Sequence, residues 1–302
     1  MEKTTQSIPA LWAIDPTETQ LRPSVEALQN VRHFLGGDFT HVHPAYIYDD
    51  DRLSREKALE KVREFLKPLP MGEMLPSDVF LSHSGKRAEW AEQVLKLAHQ
   101  RQDEVIILTS HGRSALGNLF LGSFAKELLQ TSDLPLLFIT HQKPLFAKGE
   151  KVLFATDFSE GSEKAFHEFL KFVKNKASDL ILCHIINFPL PAYSAASASG
   201  VAIPVPDYFL EEQKAWAEQR IQQWLKEAQK LGMKIKLQSI VEESMSGSSA
   251  AIERVAKAEK VGLIGLASHA GPFERIALGS VTQDLLASQK CNLWISGPHL
   301  GH

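Results

Sequence analysis

Apolar residues in this chain follow two rhythms. Short continuous runs, such as Val105–Leu108, Leu180–Ile186 and Val261–Leu266, have the length of strands covered on both faces. Elsewhere apolar positions recur every three or four residues: Ala165, Phe166, Phe169, Leu170 and Val173 form one stripe, and Ala217, Ile221, Trp224, Leu225, Ala228 and Leu231 form another. Stripes of that period mark helices packed along one side. Ser159 with Ser162 or Glu163 offers polar starting residues to the first, and Gly232 closes the second.

The second half predicts strands at 153–157, 180–186, 235–241, 261–266 and 292–296, with helices between them that include 249–259. The first half repeats the series, with strands at 11–15, 39–48, 78–82, 105–108 and 134–140 and helices at 52–66 and 87–100. In this pairing His43 falls opposite His184. Four strand–helix units and a fifth strand, written twice, predict an α/β protein of two tandem doubly wound domains, each with a five-stranded parallel sheet. The polar connector 141–150, with Pro144 and Gly149, divides them into domains 1–143 and 150–302. The stretch 189–207, rich in alanine, serine and proline, has no first-half equivalent of that length, and reads as a binding segment or as a plain excursion.

Composition narrows the function. A chain of 302 residues, 44% hydrophobic and 23% charged, has the length of two ordinary globular domains. A net charge of −3 and no lysine or arginine run argue against nucleic acid as a partner. The start, Met1–Pro9, is short and polar, and no segment approaches the roughly 20 apolar residues of a membrane span, so the expectation is a cytoplasmic protein with no membrane partner. Cys183 and Cys291 sit in separate apolar runs, as small buried hydrophobes do.

The candidate chemistry lies in two loops. Thr109-Ser110-His111-Gly112, nine residues, then Gly122-Ser123 is echoed by Ala267-Ser268-His269 running to Gly279-Ser280. Each loop follows an apolar strand and precedes a helix, the arrangement in which free amides at a helix start hold an anion. In an open parallel sheet, ligands lie beyond the carboxyl ends of the strands where strand order switches. Asp15 and Asp157 end the first strands and face the same crevices. Amides around Gly112 and at Gly122-Ser123 would cradle phosphates, and the Ser123 hydroxyl would bond a terminal phosphate oxygen. Asp15 either accepts from a ribose hydroxyl or caps the helix that follows. Asp157, Ser159, Ala267, Ser268, His269, Gly279 and Ser280 form a second, weaker set.

These residues resemble the universal stress protein family in its tandem form. Val152–Phe166 is similar to that family's opening, and Ser110-His111-Gly112 through Gly122-Ser123 resembles its phosphate loop of Gly, two residues, Gly, nine residues, Gly, then Ser or Thr. The resemblance covers nearly the whole chain. It implies five-stranded, adenine nucleotide alpha hydrolase-like domains of order 3-2-1-4-5, fifth strands paired as an internal pseudo-dimer, and ATP at the loop in many members but not all. Two departures stand out: Thr109 and Ala267 occupy the place of the first loop glycine, where a side chain crowds the phosphate path. The second loop is also one residue shorter and carries Pro272, which has no amide to offer.

His41 and His43 alternate on one strand face, with His83 and His111 ending nearby strands, yet no zinc-type spacing accompanies them, and the expected reading is a hydrogen-bonded core role with no metal. No phosphate-loop lysine, Gly-x-Ser-x-Gly elbow or His-Glu-x-x-His motif marks an enzyme. The leading expectation is a ligand-responsive stress protein that binds ATP or AMP, with Mg where the triphosphate is bound, in its first half. The alternatives are a nucleotide-free scaffold or apolar-ligand binder, and a slow ATP hydrolase. Exposed final strands would leave a homodimer of the tandem chain open.

Overall fold

The computed structural model describes residues 7–16, 28–29, 32–35, 41–48, 51–67, 80–83, 89–109, 123–140, 151–187, 207–233, 235–268 and 278–297. In the first half, strands β1 (Ala10–Ala13), β2 (Val42–Tyr48), β3 (Phe80–His83), β4 (Val105–Thr109) and β5 (Leu136–Ile139) are accompanied by helices α1 (Arg55–Leu66), α2 (Trp90–Arg101) and α3 (Ser123–Thr131). The second half supplies β6 (Lys151–Ala155), α4 (Glu160–Val173), β7 (Asp179–Asn187), α5 (Asp207–Lys230), β8 (Lys236–Ser244), α6 (Ser248–Glu259), β9 (Leu263–Ala267), α7 (Ser280–Ser288) and β10 (Leu293–Ser296).

Among the described residues the ten strands form one sheet, ordered β3-β2-β1-β4-β5-β10-β9-β6-β7-β8. Each half has the expected 3-2-1-4-5 order and is parallel within itself, while β5 and β10 join antiparallel at the centre. The sheet is covered on both sides. Alternate strand residues such as Trp12, Phe154 and Leu182 face α1, α4 and α5, while Leu11, Leu153 and Cys183 face α2, α3, α6 and α7. That two-sided burial is why the strands read as unbroken apolar runs.

The central seam depends on close approach. Thr140 donates its N–H to Asn292 Oδ1 at 3.1 Å and its hydroxyl to Gln289 O at 2.5 Å. A Cβ on Gly297 would lie 2.2 Å from Ser132 O, so only glycine lets the two halves meet there.

Helix ends follow sequence chemistry. Ser159 caps α4 by accepting from the Ser162 N–H at 3.2 Å, and Ser54 caps α1 through Lys57. Gly232, at φ +75°, terminates α5 as its sequence suggests. Leu231 departs from the expected stripe: it lies beyond the last turn of α5 and is 47% exposed.

Strand register corrects one sequence pairing. Leu11 sits beside His43 in the first half, and its counterpart Leu153 sits beside Ile181 in the second. His43 therefore corresponds to Ile181, and His184 corresponds to Tyr46. The error arose because the second strand of the first half starts at Val42, not at residue 39.

Candidate functional site

Strand order switches between β1 and β4 in the first half and between β6 and β9 in the second. In the first half, Ala13 pairs with Leu108, so Asp15 and Thr109 emerge from adjacent strands at the carboxyl edge. Ser123 begins α3. Ser110, His111, Gly112 and Gly122 lie outside the described residues.

Thr109 has a structural role, because its Oγ1 accepts the indole N–H of fully buried Trp12 at 3.2 Å. A buried indole N–H needs such a partner. The second half shows the same positions without the requirement: Phe154 replaces Trp12, and Ala267 replaces Thr109. Beside Asp15, the Tyr46 phenol is pushed up first by burial and then by the aspartate's negative charge.

The second half forms a cavity of about 180 Å³ where β6, β7 and β9 end and α6 and α7 begin. Asp157, Ala267, Gly279 and Ser280 of the expected set line it. Sequence reasoning missed Cys183, Ile185, Asn187 and Ser248, which line it as well. Their signal was present in the i, i+2 alternation of β7 and in Gly247-Ser248 at a helix start. Cys183 is buried, and burial pushes its thiol up to about 12, so it is a neutral wall. Cys291 is likewise buried, its thiol pushed up to about 11.

Asp157 and Ser159 work as a turn. Asp157 Oδ1 accepts from the Ser159 N–H at 3.0 Å and from its hydroxyl at 2.7 Å. Thr156 Oγ1 accepts from the Phe158 N–H at 2.9 Å and from the Ser162 hydroxyl at 3.0 Å. Between them Phe158 takes φ +60°, a conformation that bulky residues avoid. Its ring compensates by packing on His184 at 4.7 Å and on Trp224 at 5.5 Å. Pro16 stands at this place in the first half, and proline cannot adopt a positive φ, so the two turns differ. His184 donates Nδ1–H to Thr156 O at 2.8 Å, and burial lowers its pKa despite that bond and Asp157.

Where the described residues meet α7, the backbone groups at Gly279 and Ala267 are already engaged. Gly279 donates its amide to Ser268 O at 3.1 Å, and the Ala267 carbonyl accepts the Thr282 hydroxyl at 3.2 Å. Gly279 has φ −58°, which any residue could adopt. The N–H groups of Ser280 and Val281 point out of the first turn of α7, where a helix provides no acceptor of its own. Ser268 is buried, and His269 lies outside the described residues.

Among the described residues no three His, Cys, Asp or Glu side chains group as a metal site. His43 instead meets Asp103 at 2.6 Å. Among those residues no helix is long and apolar enough to cross a membrane.

Comparison with known proteins gives a consistent picture. A universal stress protein from Archaeoglobus fulgidus DSM 4304 superposes with a TM-score of 0.58 at 17% identity, over 96% of this chain and 98% of that one. A functionally unknown protein from Pseudomonas aeruginosa PAO1 reaches 0.59 at 15% identity, over 98% and 94%. These likenesses show the fold. A universal stress protein solved in complex with cAMP matches 48% of this chain and 94% of its own, at 16% identity and a TM-score of 0.30. No curated protein matches by sequence. The sequence profile of the Universal stress protein family matches residues 11–140 and again 149–296, so the chain belongs to that family as two tandem copies.

Proposed function

We propose that the protein is a cytoplasmic stress-response module that binds ATP or AMP in its first half, with Mg accompanying the triphosphate. The observation that carries this reading is the β1–β4 register, which brings the ends of these strands, with Asp15 and Thr109, together at the point where strand order switches. Ligands of doubly wound sheets bind at that point. α3 starts at Ser123, and the start of a helix favours a phosphate. The cavity at the equivalent point of the second half supports the same frame as a ligand holder.

Purified full-length protein should release adenine nucleotide on denaturation or give calorimetric heat with Mg-ATP or AMP, and Gly122→Asp should abolish both by placing a carboxylate among the phosphate oxygens. cAMP serves as a third titrant. No released nucleotide and no heat with any of the three would overturn the proposal. The spent Gly279 amide favours a second reading for the other half, a site that does not grip phosphate.

A further inference from the structure

We infer that the protein associates with a second copy of itself through the outer edge of β8, the two strands lying antiparallel about a two-fold axis at Ser239. The final strands of the two halves, expected to leave a homodimer open, are paired with each other as β5 and β10. Among the described residues the ends of the sheet are therefore β3 and β8. Strand β3 covers four residues, whereas β8 covers nine and keeps unbroken register with β7, from Lys236 opposite Asp179 to Ser244 opposite Asn187.

A free edge of that length is a template for another strand, and proteins usually blunt it by brevity, proline, a bulge or charge along the strand. β8 is long, has no proline and has a continuous register. Its charges lie at its two ends with opposite signs, Lys236 at one and Glu242 and Glu243 at the other, which in an antiparallel pair attract. β7, paired on both sides, is almost wholly buried. In β8, by contrast, Lys236, Ser239 and Glu243 are exposed, and Leu237, Ile240 and Val241 are half-buried.

Backbone alternation decides which residues face out. The Lys236 N–H donates to Ser178 O at 3.1 Å, so the even-numbered residues of β8 bond to β7 while Leu237, Ser239, Val241 and Glu243 turn their N–H and C=O away from it. Two such edges pair antiparallel with outward residues opposite outward residues. Centring on Ser239 sets Leu237 opposite Val241, and Ser239 opposite its own copy, in hydrogen-bonded pairs. Between them Gln238 meets Ile240, and each Lys236 meets the Glu242 of the other copy, which Arg254 steadies from α6 at 2.8 Å. Moving the axis one residue toward either end sets Lys236 opposite Ser244 or Ile240, and that ion pair is lost.

Sedimentation velocity of the full chain over a range of concentrations tests this, with circular dichroism as the folding control. Wild type should pass from monomer to dimer as concentration rises. Lys236→Glu should weaken the dimer about tenfold by setting like charges opposite each other, and adding Glu242→Lys should restore it. Positions 236 and 242 lie about 20 Å apart along one strand, so the rescue reports contact with the second copy. Ser239→Pro removes an N–H that faces away from β7 and should leave a folded monomer. If that variant does not fold, Ser239→Lys, which sets two like charges across the axis, replaces it. A wild type that stays monomeric at every concentration, including one that instead captures an extended peptide, would overturn the inference. So would a dimer unchanged by the Ser239 variant, or a folded double variant no tighter than Lys236→Glu.

Discussion

Replacing His43 by isoleucine should destabilise the first half severely, and adding Asp103→Val should rescue it. Asp103 is enclosed, with its side chain 0% exposed, and its Oδ1 lies 2.6 Å from His43 Nδ1. Its Oδ2 already has no hydrogen-bond partner. The residue follows α2, where its N–H donates to Ala98 O, so its carboxylate sits at the helix end that disfavours negative charge. Removing His43 strands a buried carboxylate at a cost of about 3–5 kcal/mol, the usual penalty for breaking a buried pair. At about 2–4 °C per kcal/mol for a domain of this size, the melting temperature should fall on the order of 10 °C. The double variant copies the second half, where Ile181 and Val261 stand at these positions and are buried. It should be as stable as wild type or more so, because well-packed apolar residues often replace a buried polar pair without loss. Thermal unfolding of the four chains, followed by circular dichroism and tryptophan fluorescence, completes the cycle. A His43→Ile chain within about 1 kcal/mol of wild type, or a double variant as unstable as that single one, would refute the reasoning.

Two further outcomes follow from the same structure. Thr109→Ala leaves the Trp12 indole N–H without its acceptor and should cost about 1–3 kcal/mol, while Trp12→Phe in the same chain should recover most of it, as urea unfolding would show. Lys176 is 4% exposed, and burial lowers its pKa from the usual 10.5 to about 8, partly opposed by Glu104. Its ammonium is thus disfavoured in the folded state, so stability should rise as pH climbs from about 8 to 10.5, by at most about 3 kcal/mol. Lys176→Met should flatten that segment of a stability–pH curve, and an unchanged slope would contradict the assignment.

The duplication and the α/β class were legible in the residues because burial on both faces imposes a continuous apolar run and helix packing imposes a stripe, whereas the family and the strand order were implied by the resemblance of the opening segment and the glycine loop. Such patterns report how each segment meets a core, and they survive without knowing which segments touch. What they do not report is register. His43 looked like the partner of His184, whereas the sheet aligns it with Ile181 and turns it toward a carboxylate sixty residues away. Thr109 looked like a damaged phosphate loop, whereas it satisfies an indole ninety-seven residues earlier in the chain.

The site divides in the same way. Ala267, Gly279 and Ser280 could be named from one motif because loop and helix start are contiguous in sequence, and Asp157 from the repeated end of the first strand. Cys183, Ile185 and Ser248 reach the cavity from β7 and α6, which only folding brings beside β6 and β9. The chain alone determined that two five-stranded units would form, since that depends on local periodicity repeated along the sequence. Tertiary structure decided which buried polar groups are paired and which residues of distant segments line the cavity, because each depends on distances between residues that the sequence leaves far apart.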